Sequence, residues 1–194
     1  MNKAICVYSS SSDAVSSNFF DAARALGAEM ARREHPLVYG GSDVGLMGAI
    51  ARSVHEHGGK VIGVIPEALL DWGVAYKDAD ELIVTKGMRE RKAMMEERAE
   101  AFVALPGGFG TLEEVFEILT LKQLQYHTKP IALLDVDGFY EPFNKLCEHM
   151  YEQKFAQPTY RQLYRVTPDI DSLFAYLETY QPPTPEVKWT GSRG

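Results

Sequence analysis

Apolar runs too short to form helices alternate with segments of helical period along the chain. Residues 3–8, 36–39, 60–65, 81–84, 101–105 and 130–134 read as strands, with 164–166 as a last short one. Helical spacing of apolar side chains marks residues 15–33, a stretch ending at about His57, another opening at Gly87, and residues 112–125, 140–154 and 169–180. Near-continuous apolar strands are buried on both faces. Their alternation with helices predicts an α/β domain with a mostly parallel sheet covered by helices on both faces. Ligands of such sheets lie beyond the carboxyl ends of the strands, so the turns leaving those ends carry the chemistry.

The most informative turn is Leu105-Pro106-Gly107-Gly108-Phe109-Gly110-Thr111-Leu112-Glu113-Glu114. It joins the apolar run 101–105 to the helix expected over 112–125. Such a turn sets backbone N–H groups at the positive end of a helix, where phosphate is favoured. Gly107, Gly108 and Gly110 let the backbone approach an anion closely. Thr111 can cap the helix and also reach a phosphate oxygen. Glu113 and Glu114 point about 100° apart on a helix, so one of them faces the ligand. A carboxylate beside a phosphate pocket is repulsive unless it binds a ribose hydroxyl, positions water or stabilises a developing cation. The plainer alternative is a tight turn whose acids complement the helix dipole. Two nucleotide motifs are excluded. Glu113 stands where a dinucleotide fingerprint needs its third glycine, and the chain has no Gly-Lys-Ser/Thr for a Walker loop.

A second Gly-rich turn, Gly40-Gly41-Ser42-Asp43-Val44-Gly45-Leu46-Met47-Gly48, follows the run 36–39. Gly45 and Gly48 share a helix face and permit close packing or ligand approach. After the first strand, Ser9-Ser10-Ser11-Ser12-Asp13 could contact a ligand or could form a polar loop ending in an N-cap. All three loops fall at the same sheet edge. Arg89, Arg91 and Lys92 crowd the start of a helix, where the dipole disfavours cations. That conflict is of the kind found at functional sites. Arg91 and Lys92 could bind an anion shared with the Gly107 loop, or could belong to a solvated face balanced by Glu90, Glu96 and Glu97. Residues 67–80 have no clean period and read as a loop or lid that could shape substrate choice. His55 and His57 point to different faces of their helix, a poor metal pair, and no metal is expected.

Lys and Arg number 20 against 27 Asp and Glu, a net charge of −7 at pH 7. Bulk electrostatics therefore argue against nucleic-acid or membrane partners, whereas local N–H groups and arginines can still hold a small anion. Cys6 and Cys147 suggest a reducing compartment with no disulfide framework, and Cys6 reads as core. No run reaches transmembrane length and the N-terminus is too short for a signal peptide, so a cytoplasmic protein is expected. A length of 194 residues suits one domain over 1–180, with a flexible tail expected over 181–194.

Residues 106–114 match the PGGxGTxxE signature, and here the chain resembles the Lonely Guy (LOG) family. These are cytokinin riboside 5'-monophosphate phosphoribohydrolases, often mislabelled lysine decarboxylases. Met88-Arg89-Glu90-Arg91-Lys92-Ala93 is similar to that family's MHxRKA stretch, with Arg89 in place of the usual histidine. Ser9-Ser10 stand where a Cys-Gly pair is common. The resemblance spans about residues 3–180. It implies a three-layer Rossmann-like domain that hydrolyses the N-glycosidic bond of a purine nucleoside 5'-monophosphate, cytokinin-type or AMP, to free base and ribose 5-phosphate. It implies Arg91 and Glu114 as the catalytic pair. It implies substrate contacts at Ser9, Gly41, Gly45, Lys92, Gly107, Gly108, Gly110, Thr111, Glu113 and Thr120. No metal or organic cofactor is implied, and a homodimer or higher homo-oligomer is.

Two rival classes stand beside this one. A lysine decarboxylase needs pyridoxal phosphate and a Schiff-base lysine, and no lysine here has a distinguishing context. A non-enzymatic nucleotide-binding or sensing module of the same fold would keep the glycine loop. It would gain little from a carboxylate near the phosphate.

Overall fold

A computed structural model describes residues 3–183. Its strands are β1 (Ile5–Tyr8), β2 (Leu37–Tyr39), β3 (Val61–Pro66), β4 (Glu81–Thr85), β5 (Ala101–Ala104), β6 (Ile131–Leu134) and β7 (Arg165–Thr167). They form one sheet in the order β4-β3-β2-β1-β5-β6-β7, and every pairing is parallel. The helices are α1 (Ser17–Arg32), α2 (Gly45–Glu56), α3 (Glu67–Asp71), α4 (Met88–Arg98), α5 (Phe109–Gln123), α6 (Glu141–Glu152) and α7 (Ile170–Thr179).

Alternation along the strands divides the core in two. Ile5, Val7, Leu37, Tyr39, Val103 and Leu134 pack with α1, α2 and α7 on one face. Cys6, Tyr8, Val38, Phe102, Ala104 and Leu133 pack with α4, α5 and α6 on the other. Successive strand residues point to opposite faces, so each apolar strand serves both layers. Burying one such large side chain stabilises by roughly 1.5–3 kcal/mol, which is why neither face is left bare. The result is the three-layer α/β architecture expected. The chain builds outward from β1 to β4, then returns to lay β5 on the other side of β1. The carboxyl ends of β1 and β5 therefore form the switch point at which parallel sheets open a crevice.

Local differences from the sequence expectations have local causes. The helix expected from residue 112 begins at Phe109, because Gly108 is its extended N-cap and no side chain caps it. Thr111 thus lies inside the first turn rather than at the cap. Between residues 67 and 80 a short helix, α3, precedes a bridge from Ala75 to Ser42. Asp169 caps α7 by accepting from the Ser172 N–H at 2.7 Å. A 3-10 turn over Pro158–Gln162 was not anticipated. From residue 184 onward the expected tail lies outside the described residues. Among the described residues no helix is long and apolar enough to cross a membrane.

Candidate active site

The loops after β1, β2 and β5, together with α3, α4 and the start of α5, enclose an open cleft of about 570 Å³ at the switch point. Ser9 to Ser12, Gly40, Arg91, Glu113, Glu114 and the Gly108–Thr111 turn line it. Met47, Leu69, Trp72, Val74, Met88 and Met95 supply an apolar wall. Two stretches far apart in sequence, 88–95 and 108–114, meet because α4 and α5 cover the same sheet face.

Arg91 and Glu114 face each other across that face. Arg91 is 6% exposed and Glu114 8%. The Arg91 Nη1 donates to Glu114 Oε1 at 3.1 Å, and its Nε donates to the Val64 carbonyl at 3.0 Å. Anchoring on β3 fixes the guanidinium, and the guanidinium orients the carboxylate. Room for it comes from Gly40, where an added Cβ would stand 1.9 Å from Arg91 Nη2. Burial pushes the Glu114 carboxyl up to about 7, against the pull of Arg91, and nearby Glu113 adds to the rise. A carboxyl poised there can exchange a proton or hold a negative charge near neutrality.

The phosphate-like end is built from backbone. Pro106 and Gly107 lead to Gly108, and the first-turn N–H groups of a helix have no intrahelical acceptor. That end of α5 opens on the cleft. Cβ atoms added at Gly108 or Gly110 would meet nothing within 4 Å. Gly107 is different, since a Cβ there would lie 2.1 Å from Thr111 Oγ1. The turn is held from behind: Leu105 N–H donates to the Tyr8 carbonyl at 2.9 Å, and the buried Tyr140 hydroxyl donates to the Leu105 carbonyl at 2.8 Å. Ser9 Oγ is buried and has no hydrogen-bond partner among the described residues, although it borders the cleft.

Not every expected site residue reaches the cleft. Gly41 and Gly45 stand behind its wall. Gly41 has φ +74, and its carbonyl accepts from Tyr76 N–H at 2.9 Å. Gly45 has φ +59, and a Cβ would lie 2.5 Å from the Ser11 carbonyl carbon. Its N–H is spent on Asp13 Oδ1 at 2.9 Å, and the Leu46 N–H on the Ser10 carbonyl at 2.9 Å. The Lys92 ammonium pairs with Glu113 and, at 2.9 Å, with Glu117, tying α4 to α5. These carboxylates raise its pKa despite the opposing effect of burial. Thr120 is exposed on α5 and donates to the Phe116 carbonyl at 2.7 Å. His55 contacts the Tyr76 hydroxyl at 2.8 Å and Asp80 at 3.0 Å, whereas His57 contacts the Ser53 carbonyl.

Some contributors escaped sequence reasoning. Gly40 was visible as a glycine, but its partner Arg91 comes from a distant helix. The Val64 carbonyl and Tyr140 support the site through contacts that no local pattern marks. Trp72, 75% exposed at the cleft, belongs to the stretch without period.

The family model described as possible lysine decarboxylase matches residues 47–177. The cytokinin riboside 5'-monophosphate phosphoribohydrolase LOG of Oryza sativa subsp. japonica is 43% identical over 178 residues, covering 92% of this chain and 74% of that protein. A protein of the same description in Arabidopsis thaliana, LOG3, is 41% identical, covering 92% of this chain and 83% of that one. Among solved structures, the molybdenum cofactor carrier protein of Chlamydomonas reinhardtii superposes with a TM-score of 0.70 at 24% identity, covering 92% of this chain and 97% of that chain. At that identity the likeness speaks for the fold alone.

Proposed function

The chain belongs to the Lonely Guy (LOG) family of cytokinin riboside 5'-monophosphate phosphoribohydrolases, and from that premise we propose how the cleft at the β1–β5 switch point works. The protein is an N-glycosidase that hydrolyses a purine nucleoside 5'-monophosphate, cytokinin-type or AMP, to free base and ribose 5-phosphate. The observation that carries the assignment to this cleft is the buried Arg91–Glu114 pair beside an open helix N-terminus.

The first-turn N–H groups of α5, with Thr111, take the 5'-phosphate. The apolar wall from Met47 to Met95 takes the purine and any apolar substituent it carries. Ribose C1' then lies toward Glu114. As the bond from C1' to the base nitrogen breaks, its electron pair leaves with the base and the ring gains oxocarbenium character, which ionised Glu114 stabilises. Water attacks C1', and its proton leaves through Glu114 or solvent, while the departing base is protonated. Arg91 holds the carboxylate in place and keeps it partly ionised despite burial. Decarboxylation through a Schiff base lacks its key residue, since among the described residues no lysine lines the cleft.

Incubation with AMP and with N6-isopentenyl-AMP, followed by chromatography for free base, tests the assignment. Base release is expected from the monophosphates, far less from the matching nucleosides, and is expected to fall by roughly 10²–10⁴-fold in Glu114→Gln. Nucleotide binding without base release would point to a sensing module instead. We also infer a cytoplasmic homodimer or larger assembly. Phe109, 95% exposed at the cleft mouth, with Trp72 and Met88 nearby, offers an apolar surface for a second copy. Light scattering reads the subunit number, and a monomer would sink the inference.

A further inference from the structure

We propose that the cavity at the far end of α5 is a second ligand site, one that takes a small monocarboxylate with an apolar body. The cavity holds about 240 Å³ and shares no lining residue with the catalytic cleft. Along α5 their nearest lining residues, Glu114 and Lys122, stand eight positions apart, a rise of about 12 Å.

Its chemistry is unusual for a chain with an acidic balance. Lys122 and His127 line it, with Gln123, Gln125, Gln162 and Thr159, and among the described residues no Asp or Glu does. Lys122 is 5% exposed. Its ammonium donates to the Leu163 carbonyl at 2.8 Å and lies 4.7 Å from the Tyr180 ring centroid. Among the described residues no carboxylate pairs with it. An ammonium has three donors, and a buried charge without a counter-ion is costly. Burial accordingly pushes its pKa down to about 8. Thr159 Oγ1 is buried without a hydrogen-bond partner.

Neither the helix end nor His127 supplies the missing counter-charge. The last-turn carbonyls of Thr120, Leu121 and Lys122 accept from Leu124, Tyr126 and Gln125 N–H groups at 3.0, 2.9 and 3.0 Å. His127 Nδ1 accepts from Lys129 N–H at 3.2 Å, and its Nε2 meets the Ile118 carbonyl at 2.9 Å. Those two partners define a neutral ring with the proton on Nε2. The charge complement is therefore one negative charge. One lysine with amide and hydroxyl neighbours, and no arginine fork, suits a carboxylate better than a phosphate dianion. Leu163, Pro182 and Pro183 give the apolar walls, and the volume falls below that of drug-sized pockets, about 300–1,000 Å³.

Calorimetric titration of the full chain with benzoate and 3-phenylpropionate tests the site, with benzamide as the uncharged control. One saturable site is expected, with benzamide at least about tenfold weaker because it cannot pair with the ammonium. Lys122→Met keeps the buried stem and should lose at least about tenfold in benzoate affinity, with base release unchanged. Saturating AMP should not displace benzoate. Amide NMR shifts on the unaltered protein, independent of how the variant folds, should centre on Lys122, His127 and Thr159. The proposal is overturned by the absence of saturable binding of both carboxylates, equal binding of benzamide, shifts centred elsewhere, affinity kept in Lys122→Met, or displacement by AMP. None of these outcomes depends on whether the cleft hydrolyses nucleotides.

Discussion

The two Gly-rich turns look alike in sequence and are used in opposite ways. In the turn after β2, the glycines let protein approach protein. Gly40 admits the Arg91 guanidinium, Gly45 backs onto the serine loop, and a Cβ at Gly48 would lie 2.2 Å from the Asp43 carbonyl oxygen. The start of α2 is already occupied, its N–H groups taken by Asp13 and Ser10. In the turn after β5, Gly108 and Gly110 face open space at the cleft. A glycine-rich turn becomes an anion site only when nothing in the protein has used its donors.

Gly40→Ala strikes hardest where the comparison is sharpest. A methyl there displaces Arg91, so base release should drop by about 10²-fold while the protein stays folded, since small misplacements of catalytic groups cost that much. Steady-state rates with a circular dichroism check would decide it, and a normal rate would mean that the guanidinium position is unimportant.

Protonation of Glu114 comes next in size. If the ionised form acts, kcat/KM for the monophosphate should fall about tenfold per pH unit below its pKa, which stands at about 7. A rate that instead falls above pH 7 would make Glu114 a general acid. The stability consequence has the opposite sense. A carboxyl whose folded pKa is raised holds its proton in the native state after the unfolded chain has released it. Stability should therefore fall as pH rises from 4.5 toward 7, and Glu114→Gln should flatten that slope in thermal melts.

The glycines themselves then separate the two turns. Gly45→Ala meets a positive φ and a backbone clash, so unfolding in denaturant should show a loss of about 1–3 kcal/mol. Its KM, measured on folded protein, should stay unchanged. Gly108→Ala and Gly110→Ala should leave stability nearly intact but raise KM for the monophosphate about tenfold, by crowding a phosphate on the α5 N–H groups. Equal KM values in all three variants would place the phosphate elsewhere. The smallest effect is expected from Asp13→Ala, a loss of about 1 kcal/mol from an N–H at the start of α2 left without its acceptor. Nucleotide affinity should not change, and weaker affinity would tie the serine loop to the ligand.

These contrasts explain what was legible. The strands, their parallel pairing and the β5 turn could be read because each rests on a short apolar run or a local signature. The Arg91–Glu114 pair followed from a matched motif. Its burial, its anchor on Val64 and the elevated Glu114 pKa depend on neighbours from β2, β3 and α4, which local spacing does not specify. Gly45 was marked by the Gly-rich turn after β2 and Lys92 by the stretch that holds Arg91, yet their polar groups are turned to Asp13 and to Glu113 with Glu117. Lys122 carried no local signal, because an unpaired ammonium is recognised only by what surrounds it.

By itself the sequence determined the α/β class, the family, and the strand–glycine–helix unit that aims backbone donors at one sheet edge. Apolar period and glycine placement act over a few residues and need no partner. Tertiary structure alone decided which of the two glycine turns stays open, how deeply the Arg91–Glu114 pair is buried, and where an ammonium is left without an acid. Those outcomes depend on contacts between distant segments and on the water that burial removes, which turns an ordinary charged residue into one with a shifted pKa or an unmet need for a counter-ion.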